Sequence, residues 1–216
     1  MAKVHPNAAV APGPTITSNP SADEPPAVLT VWRKSLLFNC DGFTVFDAKG
    51  NLAFRVDCYG ASGHRRAEVV LMDVAGKPLL TLRRKKFSLA EHWVIYDGDA
   101  ADPAKSKPLL SVRRHVSLRA SKTLAHVTPL ASTTAAEAAF VVEGSYGRRA
   151  CAVRDTRGDA VAQVRRKESV GDDVFRLVAD PRRLGAPLAM GLVIALDEMF
   201  AAGRGSSLLR RTWSAA

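Results

Sequence analysis

The fold is decided by the segment Leu184-Gly-Ala-Pro-Leu-Ala-Met-Gly-Leu-Val-Ile-Ala-Leu-Asp-Glu-Met-Phe-Ala-Ala202 near the C-terminus. Residues Leu188 to Leu196 carry no polar side chain, so a helix built from them is hydrophobic on every side and must be buried. The uncharged run from Leu184 to Leu196 has 13 residues, whereas crossing a bilayer takes about 20. Asp197 and Glu198 follow at once, and a carboxylate in a membrane costs roughly 2.5 to 3.5 kcal/mol. We therefore predict a helix inside the protein, with a membrane span as the alternative.

The predicted helix has recognisable ends. Pro187 suits the first turn, where its missing N–H would have no partner in the helix. Gly203 suits the position just after the last turn. Gly191 lies in the middle, where glycine costs about 1 kcal/mol relative to alanine. We expect another element to approach the helix closely at Gly191.

Composition limits the class of protein. A length of 216 residues suits one domain with tails, or two small domains. The net charge of +10 favours acidic partners such as nucleic acid, an anionic membrane surface or acidic proteins, although a basic solvated surface is the alternative. Cys40, Cys58 and Cys151 lack metal-ligand spacing, which indicates reduced, buried thiols in a cytosolic or nuclear protein. The first 27 residues lack the apolar segment of a signal peptide.

The chain divides into three parts. Residues 1–27 hold six of the twelve prolines, which predicts a disordered Pro/Ala-rich leader. Residues 28–202 are predicted to form a single domain, and residues 203–216 a flexible basic tail.

The domain is built from strand-like runs separated by turn residues. Three predicted hairpins, Val45–Val56, Val70–Lys85 and Ala152–Lys167, share Asp-x-x-Gly at the turn, and the last two also end in Arg-Arg-Lys. This match around Asp73 and Asp155 indicates an internal repeat. Further strands are predicted at Phe43–Phe46, Trp93–Tyr96, Leu109–Val112, Phe140–Val142 and Val174–Val178, and longer loops at Asp99–Lys107 and Ala125–Ala139. Many antiparallel strands with one apolar helix predict a closed β-barrel threaded by that helix, because closure hides the sheet edges.

Several of these stretches together resemble the plant LURP-one-related proteins. The resemblance is carried by Trp32-Arg-Lys-Ser-Leu36, Gly42-Phe-Thr-Val-Phe-Asp47, Phe54-Arg-Val-Asp57, Leu71–Lys85, Trp93-Val-Ile-Tyr96, Ala162–Lys167 and the C-terminal helix. That family is similar to Tubby C-terminal domains and phospholipid scramblases. The resemblance implies their shared fold, a mainly β, closed antiparallel barrel of about twelve strands around a central hydrophobic helix.

The resemblance also implies a function. It suggests a non-enzymatic protein that binds anionic membrane phospholipid, phosphoinositides included, and acts in plant defence signalling. Such a protein would be cytoplasmic, peripheral at the plasma membrane, or nuclear. The alternatives are a scaffold for defence-signalling proteins and, by analogy with Tubby, a membrane-tethered transcription regulator. Fold similarity alone does not transfer a site.

The repeated basic runs supply the candidate site. Arg83 and Lys85 share one face of their strand, as do Arg165 and Lys167. We hypothesise that these four residues form a lipid-phosphate site, with guanidinium groups gripping phosphate and lysines adding point charge. The alternative is that they are strand-end charges that keep the protein soluble.

Other chemistries have little support in the sequence. The acidic stretch with Asp172, Asp173 and Asp180 places Val174 and Phe175 where calcium ligands would stand, so no metal site and no cofactor are expected. The five histidines lack catalytic or metal spacing, and no nucleophile elbow or P-loop is present, which argues against an enzyme. No recognition helix, zinc spacing or RNA-binding aromatic signature indicates sequence-specific nucleic-acid binding.

Overall fold

The computed structural model describes residues 25–36, 41–58, 67–100, 106–117, 120–130, 139–167 and 173–200. The twelve strands are β1 (Ala27–Trp32), β2 (Asp41–Phe46), β3 (Leu52–Cys58), β4 (Glu68–Met72), β5 (Pro78–Arg84), β6 (His92–Asp97), β7 (Pro108–Arg114), β8 (Thr123–Pro129), β9 (Phe140–Ser145), β10 (Ala150–Arg154), β11 (Ala160–Arg166) and β12 (Val174–Ala179). They are followed by the helix α1 (Ala186–Phe200). The predicted leader as far as residue 24 and the predicted tail lie outside the described residues.

The strands form one closed antiparallel barrel. Each strand pairs with its neighbour in sequence, and β1 pairs with β12 to close the ring. The register of the closing pair runs from Ala27 opposite Ala179 to Trp32 opposite Val174. Closure leaves no unpaired sheet edge. This is the mainly β, closed barrel that the sequence predicted.

The helix occupies the centre of the barrel. Five consecutive residues, Leu192–Leu196, are each no more than 1% exposed. Five consecutive positions cover every side of a helix, because each residue turns it by about 100°. The prediction of a helix buried within the protein on all sides is therefore confirmed. Within the described part of the chain, no helix has the length and apolar character needed to cross a membrane.

At Gly191 the helix lies close to the barrel wall. A Cβ atom added there would lie 3.2 Å from Leu80 Cδ1 and 3.3 Å from Ile95 Cδ1. Leu80 lies in β5 and Ile95 in β6, so the expected close approach comes from these two strands. A side chain larger than a methyl group would have no room beside them.

Three hairpin turns repeat one geometry. Asp47, Asp73 and Asp155 each accept, through Oδ1, the backbone N–H groups two and four residues ahead, at 2.8 to 2.9 Å. In each turn the glycine three residues on has a positive φ of 86° or 87° and donates its N–H to the aspartate carbonyl. The predicted repeat around Asp73 and Asp155 is thus present in the structure, with a third copy at Asp47.

One predicted loop is partly wrong. Residues 125–129 belong to β8, in which Ala125 and Val127 are buried and His126 and Thr128 are exposed. This period of two is typical of a strand with one face on the core. The small Ala125 and the Pro129 at the strand end made this strand resemble a loop in the sequence. Residues 131–138 of the same predicted loop lie outside the described residues.

Replacing Gly191 with leucine should destabilise the fold. The larger side chain would force Leu80 and Ile95 out of their positions, and overpacking of this kind costs roughly 1 to 3 kcal/mol or more. Urea unfolding would measure the loss. The control is Ala186→Leu in the partly exposed first turn of the same helix, which should change stability little. Equal effects of the two substitutions would contradict the close approach at Gly191.

Candidate functional site

Six loops and the C-terminal end of the helix meet at one end of the barrel, which we name the basic end. Adjacent strands are antiparallel, so the connections after β1, β3, β5, β7, β9 and β11 all lie on the same side. The remaining turns, including those at Asp47, Asp73 and Asp155, lie at the opposite end, which we name the Asp-turn end.

The two ends differ in charge. At the Asp-turn end, carboxylates alternate with cations, as in the pairs Asp47 with Lys49 and Asp73 with Lys77, so the charges roughly cancel. At the basic end, cations outnumber carboxylates among the described loop residues and the adjoining strand ends. These cations are Arg33, Lys34, Arg83, Arg84, Lys85, Lys86, Arg113, Arg114, Lys122, Arg148, Arg149, Arg165, Arg166 and Lys167.

The pKa of His92, the first residue of β6, is lowered by its surroundings. Burial lowers the pKa of His92 below its ordinary value, and the charges of Arg113 and Lys85 lower it further. A neighbouring positive charge disfavours a second one. Burial is the larger cause of the shift, and the two cations add to it in the same direction.

The four predicted phosphate-binding residues lie at the basic end but not together. Five strands separate β5 from β11 in either direction around the ring, so the two Arg-Arg-Lys runs stand on opposite sides of the barrel. Arg83 contacts side chains of the two neighbouring strands. Its Nε lies 2.6 Å from Glu68 Oε2, and its guanidinium lies 5.9 Å from the Tyr96 ring centre.

Of the other three residues, Lys85 and Arg165 are exposed and Lys167 is half-buried. Lys85 is exposed at the start of the β5–β6 loop (residues 85–91). Arg165 is exposed, and its Nε donates to Gln163 Oε1 at 3.0 Å. It lies directly opposite the exposed Arg176 of β12, and like charges in that position destabilise a sheet. Lys167 follows β11 and is half-buried.

The β5–β6 loop carries features that the sequence reasoning missed. The loop encloses a recess of about 560 Å³ lined by Arg84, Lys85, Lys86 and Glu91 together with the loop's apolar side chains. Phe87 and Leu89 are fully exposed in it. The signal in the sequence was available, because two large apolar residues follow a run of four cations in a short connection.

A buried ionic network fixes the helix end beneath these loops. Asp197, 5% exposed, receives Arg33 Nε on Oδ2 at 2.9 Å and Tyr146 Oη on Oδ1 at 3.1 Å, and Arg149 Nη1 lies 3.9 Å from Oδ1. Burial and the nearby Asp197 charge raise the pKa of Tyr146 well above its ordinary value, although Arg149 opposes them. Tyr146 therefore keeps its proton, and its hydroxyl donates a hydrogen bond to Asp197.

Arg149 is held by aromatic rings. Its guanidinium lies 4.5 Å from the ring centre of Tyr146 and 4.3 Å from that of Phe175, and the residue is 1% exposed. Cation–π contacts of this kind stabilise a cation removed from water. Arg149 belongs to the Arg148-Arg149 pair that the sequence presents as one basic cluster. Only Arg148 of the pair is exposed.

The described ranges contain no preformed metal site. No group of three or more histidine, cysteine, aspartate or glutamate side chains comes close enough there to hold an ion. Asp173 lies 3.9 Å from Arg33 Nη1 and caps the ionic network instead, whereas Asp172 lies outside the described residues. Asp180 accepts the N–H of Arg182 in the turn before the helix.

Comparison with known proteins places this architecture in a family. The sequence profile of the LURP-one-related family matches residues 27–197. The chain belongs to the LURP-one-related family. Protein LURP-one-related 8 of Arabidopsis thaliana is 42% identical in an alignment of 210 positions that covers 93% of this chain and 98% of that protein. Protein LURP-one-related 5 of the same plant is 43% identical in an alignment of 181 positions that covers 80% of this chain and 82% of that protein.

A solved structure shares the fold of this LURP-one-related protein. An Arabidopsis thaliana protein determined by X-ray crystallography superimposes with a TM-score of 0.57 at 25% identity, covering 80% of this chain and 90% of the other. The profile match spans all twelve strands and ends at Asp197. The residues of the ionic network that clamps the helix, from Arg33 to Asp197, thus lie within the family domain.

Removal of the Asp197 carboxylate should destabilise this LURP-one-related protein strongly. Asp197→Ala leaves Arg149 buried without its charge partner, and breaking a buried pair in this way costs about 3 to 5 kcal/mol. Chemical denaturation would measure the loss. Asp173→Ala is the matched control, because its 73% exposed side chain contributes at most about 1 kcal/mol. Similar small losses for both variants would contradict the clamping role of Asp197.

Cys151 should be an inert thiol. It is free and buried, and burial raises its pKa to about 12 although Arg149 opposes the shift. The reactive thiolate is therefore scarce at neutral pH. We expect iodoacetamide to alkylate Cys151 slowly in the folded protein and rapidly in urea, as read by peptide mass mapping. Equal rates would contradict its burial. Cys40 and the Cys58 side chain lie outside the described residues.

Proposed function

We propose that this LURP-one-related protein is a non-enzymatic binder of anionic phospholipid headgroups, phosphoinositides included, and acts in plant defence signalling at the cytoplasmic surface of a membrane. One observation carries the proposal, namely that the excess cations of the described residues gather at one end of the barrel. An anionic bilayer attracts each lysine or arginine near its surface by about 1 kcal/mol. Several cations on one end can therefore hold a peripheral protein against such a surface.

The spread of the cations favours a surface over a single pocket. Arg84, Lys85 and Lys86 stand on one side of the barrel, whereas Arg165 and Arg166 stand on the other. One phosphate group cannot touch both sides, but a sheet of headgroups can. Arginines can grip a phosphate through two hydrogen bonds, and lysines add point charge.

The recess of the β5–β6 loop is the place that we propose for an individual headgroup. This recess of about 560 Å³ falls within the size range of small-molecule sites. Arg84 lines it, as do Lys85 and Lys86. The hypothesis of one site shared by Arg83, Lys85, Arg165 and Lys167 thus becomes a proposal of two separate contacts on a common anionic surface.

Charge reversal at the basic end should weaken vesicle binding. Lys85→Glu/Lys86→Glu removes two exposed cations, which costs at least about 2 kcal/mol, or roughly thirtyfold in affinity. Arg165→Glu/Lys167→Glu should act in the same direction on the opposite side. Sedimentation with vesicles of phosphatidylcholine, with and without phosphatidylserine or phosphoinositide, would measure both effects.

Lys49→Glu/Lys77→Glu provides the matched control. It makes the same change of charge at exposed positions of the Asp-turn end and should leave binding nearly unchanged once salt screens distant charges. Equal losses for the variants of both ends would show a general effect of net charge and contradict the proposed orientation. A gel shift with duplex DNA in place of vesicles would reassign the basic end to nucleic acid.

A further inference from the structure

Phe87 and Leu89 are fully exposed in the β5–β6 loop of the basic end. Their exposures are 105% and 110% of the reference for an open chain. Lys85 and Lys86 precede them directly, and Arg84 ends the strand before them. We infer that the β5–β6 loop inserts Phe87 and Leu89 into the interfacial region of an anionic bilayer, between headgroups held by Lys85 and Lys86.

Packing in the core does not explain why residues 87 and 89 are large and apolar. Phe87 has a φ of 61°, which is uncommon for a bulky residue and costs of order 1 to 3 kcal/mol in general. Full exposure means that neither Phe87 nor Leu89 recovers that cost by packing in the core. A side chain kept in such a conformation without a contact of its own fits a role in binding.

The loop is anchored at its base and open at its tip. Glu91 Oε1 lies 4.0 Å from Arg84 Nη2, and Glu91 Oε2 lies 3.6 Å from Arg114 Nη1. The guanidinium of Arg114 lies 4.8 Å from the ring centre of Phe200 at the helix end. These contacts tie both ends of the loop to the barrel and helix, so the barrel presents Phe87 and Leu89 on a fixed base.

A third exposed apolar side chain, Val116, lies at the same end of the barrel. Val116 in the β7–β8 connection is 71% exposed. Strands β5 to β8 are consecutive in the ring, so this connection is the neighbour of the β5–β6 loop at the basic end. Phe87, Leu89 and Val116 thus lie on two neighbouring connections at the basic end, together with Lys85, Lys86 and the exposed Arg113.

Charge complementarity favours an anionic bilayer as the partner of the β5–β6 loop. Apolar side chains ringed by lysine and arginine match the boundary between negative headgroups and acyl chains. This inference rests on the proposed function, because the cations bring the loop to the bilayer and the apolar residues then add a contribution that salt does not screen. The area of exposed Phe and Leu side chains is sufficient for a partition effect of at least about tenfold.

The test compares vesicle binding of wild type, Phe87→Ser/Leu89→Ser and Val74→Ser/Leu130→Ser. Val74 and Leu130 are 56% and 45% exposed at the Asp-turn end and serve as the matched apolar control. The probe is sedimentation with phosphatidylcholine vesicles containing about 30% phosphatidylserine, at low salt and at about 0.5 M sodium chloride. Thermal unfolding should be alike in all three, because the replaced side chains are on the surface.

The inference expects Phe87→Ser/Leu89→Ser to bind at least about tenfold more weakly than wild type at both salt concentrations, and the control to bind like wild type. Unchanged binding of Phe87→Ser/Leu89→Ser, with wild type still bound, would overturn insertion alone and leave a protein partner as the occupant of the loop. Failure of wild type to sediment with any anionic vesicle would overturn the proposed function as well.

Discussion

The burial of a helix that is apolar on every side is the constraint on which the rest of the structure depends. A sheet covering one face of α1 would leave the other faces in water. The closed ring of β1 to β12 surrounds it instead, and Leu192–Leu196 are almost completely buried as a result. Each such side chain contributes roughly 1.5 to 3 kcal/mol when removed from water, as an upper estimate. Barrel closure and helix burial therefore depend on each other. The helix fills the interior of the ring, and the ring removes the helix from water.

The helix leaves the apolar core through a charged clamp. Asp197 follows Leu196 directly, and its carboxylate is bound by Arg33 from the β1–β2 connection and by Tyr146 from the β9–β10 turn. Arg149, stacked between Tyr146 and Phe175, adds the third contact. Loops that are far apart in sequence are thereby fixed to the end of one rigid helix. The basic end is consequently a surface with defined geometry, in contrast to a set of independent loops.

Local patterns in the sequence predicted most of the elements, although not β1 or most of β8, whereas non-local contacts decided the site. The helix from Pro187 onward and the Asp-x-x-Gly hairpins depend on nearest neighbours, and all were predicted. The resemblance to the LURP-one-related family supplied the strand number. The sequence did not reveal that the two Arg-Arg-Lys runs face away from each other, because that depends on the position of β5 and β11 in a twelve-membered ring. It also did not reveal that Arg149 is buried, because Phe175 comes from a distant strand. Strand β8 was partly missed because Ala125 and Pro129 are weak strand formers.

The same arrangement explains how a barrel with a filled interior could act at a membrane. Its core is occupied by α1, and the proposal places binding at the basic end, which among the described residues combines excess cations with fully exposed apolar side chains. Hydrogen–deuterium exchange with and without phosphatidylserine vesicles tests this account most directly. It predicts new protection in residues 85–91 and 115–117, with the Asp73 and Asp155 turns and α1 unchanged. Protection at those turns, or faster exchange within α1 on vesicles, would contradict it.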